Sequence, residues 1–215
     1  MPNHVTNILT LTGSAEDIAK IKELAHVGEE DFSFEGLVPM PTQIKNTVAS
    51  SISSDEPKYE VRDGVEVFME NSTEEGRASL QKKYGCTNWY DWACTNWGTK
   101  WGSYDSTLED EGEDFLQYTF LTAWSFPEEF FLQFSQRFPD VHMKVRFADE
   151  DFGNNCGEVE LMEGDFTEAH YPEGGSREAF ELAGDILGHC GEWDEEKDRY
   201  VFEWEEDEEE EEIED

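Results

Sequence analysis

From Val5 to Leu11 the odd positions Val5, Asn7, Leu9 and Leu11 alternate with Thr6, Ile8 and Thr10. That period of two is what a strand with one buried face requires. Gly13 breaks the run, and Ser14 followed by Asp17 supplies a helix start of the capping-box type. Ile18, Ile21, Leu24 and Ala25 then mark the buried stripe of an amphipathic helix that Gly28 closes. A second strand is expected over Phe32 to Val38, ended by Pro39-Met40-Pro41. The order is β-α-β.

Regular patterning lapses from Thr42 to Asp114, which reads as an insertion, polar around Ser50 to Pro57 and strongly aromatic later, with one short helix over Glu74 to Tyr84 stopped by Gly85. The pattern then returns. Phe115 to Trp124 predicts a strand, and Pro127 with Glu128 and Glu129 opens a helix that carries Phe130, Phe134 and Phe138 on one face. Pro139 ends that helix, and Val141, Met143, Val145 and Phe147 give another alternating strand. Two β-α-β units in series predict an α+β fold, the ferredoxin-like split β-α-β sandwich, with two helices on one face of an antiparallel sheet and the other face partly free. A turn over Asp151 to Gly157 leads to an extra strand at Glu158 to Met162. A third helix is expected at Ser176 to Leu187 with Gly188 as its stop, and a last strand at Arg199 to Trp204. The expected division is a domain over residues 1–163 that includes the insertion 42–114, an extension over 164–204 packed on it, and an acidic disordered tail over 205–215.

Charge changes the picture most. Fifty-three acidic against fifteen basic side chains give a formal charge of −38. Removing the eleven carboxylates of residues 203–215 still leaves −27. The folded part is therefore acidic in its own right. Such a surface repels bare nucleic acid and attracts proteins that hold nucleic acid in a basic groove. No stretch approaches the roughly eighteen apolar residues of a membrane helix, and the first residues lack a signal-peptide pattern, so a cytoplasmic setting is expected. Cys86, Cys94, Cys156 and Cys190 have no CxxC spacing, and reduced thiols are expected. No cofactor is expected.

Several separated segments carry a resemblance. The opening Met1-Pro2-Asn3-His4-Val5-Thr6-Asn7, the Phe34-Glu35-Gly36-Leu37-Val38-Pro39-Met40-Pro41 stretch, and the block from Asn88-Trp89-Tyr90-Asp91-Trp92 through Asn96-Trp97-Gly98-Thr99-Lys100-Trp101 are similar to the YubB-type ferredoxin-like proteins of phages and plasmids. Thr122-Ala123-Trp124-Ser125-Phe126-Pro127 and Ala148-Asp149-Glu150-Asp151 through Gly153-Asn154 extend the similarity, which covers about Met1 to Gly157. The resemblance implies the ferredoxin-like fold and a mobile-element setting in a bacterial cytoplasm. It implies no catalytic residue set, and the acidic C-terminal extension departs from the family's shorter members.

Four of the seven tryptophans, Trp89, Trp92, Trp97 and Trp101, lie within thirteen residues. They are either the anchors of a partner-binding face or the satellite core of the insertion. Beside them Lys100 is a cation in acidic surroundings, placed to pair with Asp91 or to bind an anion. Glu109, Asp110, Glu111, Glu113 and Asp114 form the densest acidic run before the tail, expected in a linker and a candidate charged contact patch. His142, Lys144 and Arg146 predict a small basic stripe, either for RNA or for local carboxylates. His4 and His142 are expected on neighbouring strands, near enough to approach one another. Asp149, Asp151, Asn155 and Glu160 fit a calcium-loop frame that lacks its turn glycine, so a hairpin turn explains them better. His189, Cys190 and Cys156 are the residues available to zinc, without paired-ligand spacing. No nucleophile elbow, phosphate-binding glycine loop, HExxH or kinase signature occurs. The function expected is an interaction protein that blocks a host nucleic-acid-binding defence or regulatory protein, in the manner of an acidic DNA mimic. The alternatives are an enzyme acting on a nucleotide or nucleic-acid product and a self-associating protein. The oligomeric state is open.

Overall fold

The computed structural model describes residues 2–49, 56–189, 191–197 and 199–202. The acidic tail and Cys190 lie outside the described residues. In chain order the elements are β1 (His4–Thr12), α1 (Ala15–Ala25), the single-turn helices α2 (Phe34–Leu37) and α3 (Thr42–Lys45), and the hairpin β2 (Tyr59–Arg62) and β3 (Val65–Phe68). Next come α4 (Glu74–Tyr84), α5 (Trp89–Asn96), β4 (Tyr104–Glu111), β5 (Phe115–Ala123), α6 (Glu128–Arg137), β6 (His142–Asp149), β7 (Cys156–Met162) and β8 (Asp165–His170). Helix α7 (Arg177–Leu187) and the hairpin β9 (Gly191–Asp194) and β10 (Arg199–Phe202) complete the fold.

Six strands form one antiparallel sheet in the order β4-β5-β1-β6-β7-β8. β5 lies between the strands of the β1-α1-β4 unit, and β1 lies between those of the β5-α6-β6 unit. That interleaving is the split β-α-β arrangement. The alternation read from the sequence sets the register. Val5, Leu9 and Leu11 of β1 and Val145 and Phe147 of β6 point into one core with Ile18 and Ile21 of α1 and Phe130 and Phe134 of α6. Ser14 caps α1 by accepting the Asp17 N–H, as its spacing predicts.

Two expectations need correction. The strand expected over Phe32 to Val38 does not form. Phe34–Leu37 is a helical turn, and Phe34 stacks on Phe130 at 3.7 Å between ring centroids while Phe32 stacks on Phe120 at 4.8 Å. The spacing 32, 34, 37 suits a plug of apolar side chains as well as a strand. The second strand of the core is instead β4, where the acidic run Glu109, Asp110 and Glu111 lies in the sheet, with Glu113 and Asp114 in the β4–β5 hairpin. The insertion therefore runs between α1 and β4, over residues 26–103, rather than 42–114. Segment 30–34 lies along the outer edge of β4 without pairing as a strand. Glu30 accepts the Ser106 N–H and Asp31 accepts the Leu108 N–H, so carboxylates satisfy amides that a neighbouring strand would otherwise take.

The sheet's far face, expected to be partly free, is covered along its β1-β6-β7 region by the C-terminal extension. Ala179, Ala183 and Ile186 of α7 pack there on Ala148 and Cys156, with Ile8 and Phe152 beside them. Ser176 caps α7 and left-handed Gly188 ends it, both at the expected positions. The β9–β10 hairpin follows, with Tyr200 stacked on Phe180.

Candidate functional site

The tryptophan block divides between core and surface. Asn88 caps α5 by accepting the Asp91 N–H, which buries Trp92 and Trp97 to 6 % and 3 % exposure. Their rings meet edge to face at 5.3 Å, and the Trp97 indole N–H donates to the Val38 carbonyl. These two rings hold the insertion on the domain and present no anchor to a partner. Trp89 is half-buried, and its backbone N–H donates to Thr47 Oγ1.

After α5 the chain turns at Gly98, where φ is +75°, a conformation that favours glycine. The following loop is fastened to the end of β5. Thr99 Oγ1 donates to the Ala123 carbonyl, and Ser125 Oγ donates to the Gly98 carbonyl. This fixes Lys100 with its ammonium 4.3 Å from the Trp101 ring centroid and 5.0 Å from that of Trp124. Lys100 forms no ion pair with Asp91 or with any other carboxylate among the described residues. Its cation is held over two indole faces, an attraction worth roughly 0.5–2 kcal/mol per ring.

Trp124 is 44 % exposed, and its backbone sits at φ +73°. A bulky side chain in the left-handed region is costly, on the order of 1–3 kcal/mol, and persists only where its surroundings over-determine it. Here the Trp124 N–H donates to the Asn3 carbonyl, and Asn155 Nδ2 donates to the Trp124 carbonyl. Tyr90 meets the Trp124 ring edge to face at 6.5 Å, and Tyr104 meets Trp101 at 6.3 Å. The Tyr104 hydroxyl lies 2.7 Å from His4 Nδ1 and 3.3 Å from the Thr122 carbonyl oxygen. Burial pushes the Tyr104 phenol above its ordinary pKa, and the Asp105 and Glu150 carboxylates push the same way. It is therefore a protonated hydrogen-bonding group at neutral pH.

One end of the sheet thus gathers Tyr90, Lys100, Trp101, Tyr104, Trp124 and His4. Residues quoted for the sequence resemblance at 3–4, 97–101, 122–125 and 149–154 lie at or beside it. Trp124 and Tyr104 were missed as site residues in the sequence reading. Tyr104 lay in the stretch without regular patterning and Trp124 at the end of the β-rich run, positions that do not distinguish a site from a core. The acidic run lies at the opposite end of β4, where Gly13 N–H donates to the Asp114 carbonyl and Lys22 pairs with Glu111.

The other candidate groups have structural partners. His142 bonds Glu160, Lys144 lies near Glu158 and Glu160, and Arg146 pairs with Glu158 and with Asp185 of α7. The basic stripe thus serves local carboxylates. His4 and His142 do not meet, because His142 pairs with Thr12 at the far end of β1. Asp149 organises the β6–β7 turn by accepting from Asn3, Asp151 and Asn155, while Glu160 of the calcium frame turns to His142. Cys156 Sγ donates to the Ala179 carbonyl, and burial raises the pKa of its thiol. Among the described residues no group of three or more His, Cys, Asp and Glu side chains is placed to hold a metal ion. No helix among them is long and apolar enough to cross a membrane.

Residues 96–203, from the end of α5 through β10, match the model of the ferredoxin-like domain in Api92-like protein. The chain belongs to this ferredoxin-like family. The matched stretch takes in α7 and the β9–β10 hairpin, so these elements are part of the Api92-like pattern, although the sequence resemblance ended near Gly157. A solved structure of the protein api92 from Yersinia pseudotuberculosis is similar at 12 % identity and a TM-score of 0.48, over 81 % of this chain and 99 % of that one. No curated protein matches the chain.

Proposed function

We propose that this protein is an interaction protein of a phage or plasmid, acting in the bacterial cytoplasm, that binds and blocks a host protein whose own groove is built for nucleic acid. One observation carries the reading: at least seven of the fifteen cations pair with the chain's own acid, and far more acid than base stands on its surface. Lys22, Lys45, Arg62, Lys144, Arg146, Arg177 and Lys197 each lie within 4 Å of one of the protein's own carboxylates. Asp105, Glu109, Asp110, Glu113 and Asp114 stand exposed along the β4 edge and its hairpin. Strand geometry spaces such positions over roughly 20–25 Å, the scale of several phosphates of a duplex.

Carboxylates at an edge strand also guard against edge-to-edge pairing, so charge alone does not make an interface. The aromatic end of the same strand adds what a specific contact needs. Trp124, Trp101, Tyr90 and Lys100 form a partly exposed cluster of the residue types that dominate binding hot spots. In this mechanism acid steers the encounter with a basic groove, and the aromatic cluster fixes it.

The test is capture of proteins from a bacterial lysate on the immobilised full-length chain, with elution by duplex DNA and by salt. A nucleic-acid-handling protein that duplex DNA displaces, and that Trp124→Ala captures poorly, is the expected result. Capture that is indifferent to DNA and to salt would refute the electrostatic mechanism. A second reading rests on the His4–Tyr104 pair beside Lys100, at the junction of insertion and sheet: an enzyme acting on a nucleotide or nucleic-acid product. Under that reading, incubation with nucleotides gives turnover that His4→Ala abolishes.

A further inference from the structure

On the helical face of the sheet, α1 does not reach across to β4. A groove of about 450 Å³ remains between them, with Ala19 on the helix side, Leu108 on the strand side and Tyr118 of β5 at its base. That volume falls in the range of small-molecule sites. Tyr118 is 1 % exposed, and its hydroxyl has no hydrogen-bond partner. An unpaired buried hydroxyl is unfavourable, and a group in the groove able to bond it would remove that penalty.

The rim supplies a second, independent indication. Glu23, Asp31 and Lys22 line the groove, together with His26, which lies 3.5 Å from Asp31. Lys22 is already engaged by Glu111, and Glu23 has no ion pair among the described residues. The His26–Asp31 contact counts as a charge pair only when the imidazole is protonated. The rim therefore holds an excess of carboxylate over ammonium, above walls that are mainly apolar.

We infer that this groove is a binding site for a small cationic amphiphile, whose apolar body lies between Leu108 and Ala19, whose ammonium faces Glu23 and Asp31, and whose polar atom accepts the Tyr118 hydroxyl. Burial, with the Asp31 and Glu111 carboxylates adding to it, pushes the Tyr118 phenol far above its ordinary pKa. It is a donor throughout the neutral range. An anionic ligand would meet the rim carboxylates as well as the charge of the whole chain. This inference does not rest on the interaction reading, since the groove lies away from the Lys100 cluster and requires no protein partner.

Three probes of similar size separate the terms: tyramine, phenethylamine, and 4-hydroxyphenylpropionate. Binding of each to the full-length protein is followed by titration calorimetry and by protein amide shifts. Tyramine is expected to perturb α1 and β4 and to bind about tenfold more tightly than the carboxylate. Tyr118→Phe should lower tyramine affinity to that of phenethylamine and leave phenethylamine unchanged. Leu108→Trp, at a half-buried position on the groove wall, should close the groove to both amines. Glu23→Gln should weaken both amines alike. Equal binding of the carboxylate, shifts confined to other elements, or amine binding that survives Leu108→Trp would each overturn the site. So would a Tyr118→Phe protein that binds tyramine as the native chain does, since the hydroxyl would then have no ligand role.

Discussion

Asp149 shows how much one side chain contributes to the aromatic end of the sheet. It is 4 % exposed, and its oxygens accept the Asn3 amide at 3.0 Å, the Asp151 N–H at 2.9 Å and the Asn155 amide at 2.8 Å. Asn155 in turn bonds the carbonyl of left-handed Trp124, so the carboxylate also stands behind that strained residue. Replacing Asp149 by Ala leaves these donors without a charged acceptor, each such bond contributing about 1–3 kcal/mol. The expected loss is about 3 kcal/mol in denaturant unfolding, together with weakened partner capture through Trp124. Native-like stability would show that water replaces the carboxylate. A second carboxylate, Asp194, turns the β9–β10 hairpin by accepting the Lys197 and Glu196 N–H groups. The Lys197 amide, foremost, holds its pKa below the ordinary aspartate value. A depressed folded pKa contributes stability above the unfolded value, and that contribution is lost as pH falls through the folded one. Amide exchange at Glu196 and Lys197 should therefore be protected at neutral pH and accelerate relative to other turns on acidification below about pH 4. Asp194→Asn should remove that pH dependence.

At the scale of elements, the tightest constraint lies where α2 meets α1. A Cβ on Gly36 would sit 1.7 Å from the Leu24 carbonyl oxygen, a backbone atom that yields only if α1 moves. Gly36→Ala should cost about 2–4 kcal/mol through that displacement and release the Phe34–Phe130 stack; a melting curve checks it, and an unchanged midpoint would mean that the two helices separate freely. The elements legible in the sequence were β1, α1, α4, β5, α6, β6, β7 and α7, with Ser14, Ser176, Gly85 and Gly188 at caps or stops. The failures have different physical causes. β4 is an edge strand whose inward positions include Ser106, so its dense carboxylates hid the alternation. Segment 32–37 is apolar because it plugs the core, and burial without a partner strand yields a helical turn. The β2–β3 hairpin carried a readable signal in Asp63-Gly64, whereas the β7–β8 turn is made by Glu163-Gly164, a weaker one, with all four residues at positive φ. The site was legible in part. Lys100 and Trp101 stood out by composition, but their meeting with His4, Tyr104 and Trp124 depends on β4 pairing with β5 beside β1, and β4 is the strand whose alternation the carboxylates hid.

For the whole molecule the governing quantity is a charge of −38 on 215 residues. Added salt acts on it in two opposite ways. It weakens the exposed ion pairs, each worth about 0–1 kcal/mol, and it screens the repulsion among the unpaired carboxylates. The pairs are short-range and few beside fifty-three acidic side chains, so screening of repulsion should win. Raising potassium chloride from about 10 mM to 200 mM shrinks the screening length from roughly 30 Å to under 10 Å, less than the width of the domain. The melting midpoint should then rise by roughly 3–6 °C, corresponding to about 1–2 kcal/mol for a chain of this size. A midpoint that falls would show that the internal pairs, among them Arg146 with Glu158 and Asp185, contribute more than the repulsion costs. The same measurement locates the field. A chain ending at Phe202 has a charge of −27. If residues 203–215 repel the folded part, the shortened chain should start from a higher midpoint at low salt and gain less on adding it. Equal gains would place the repulsion within the domain itself, whose residues 1–202 carry −27.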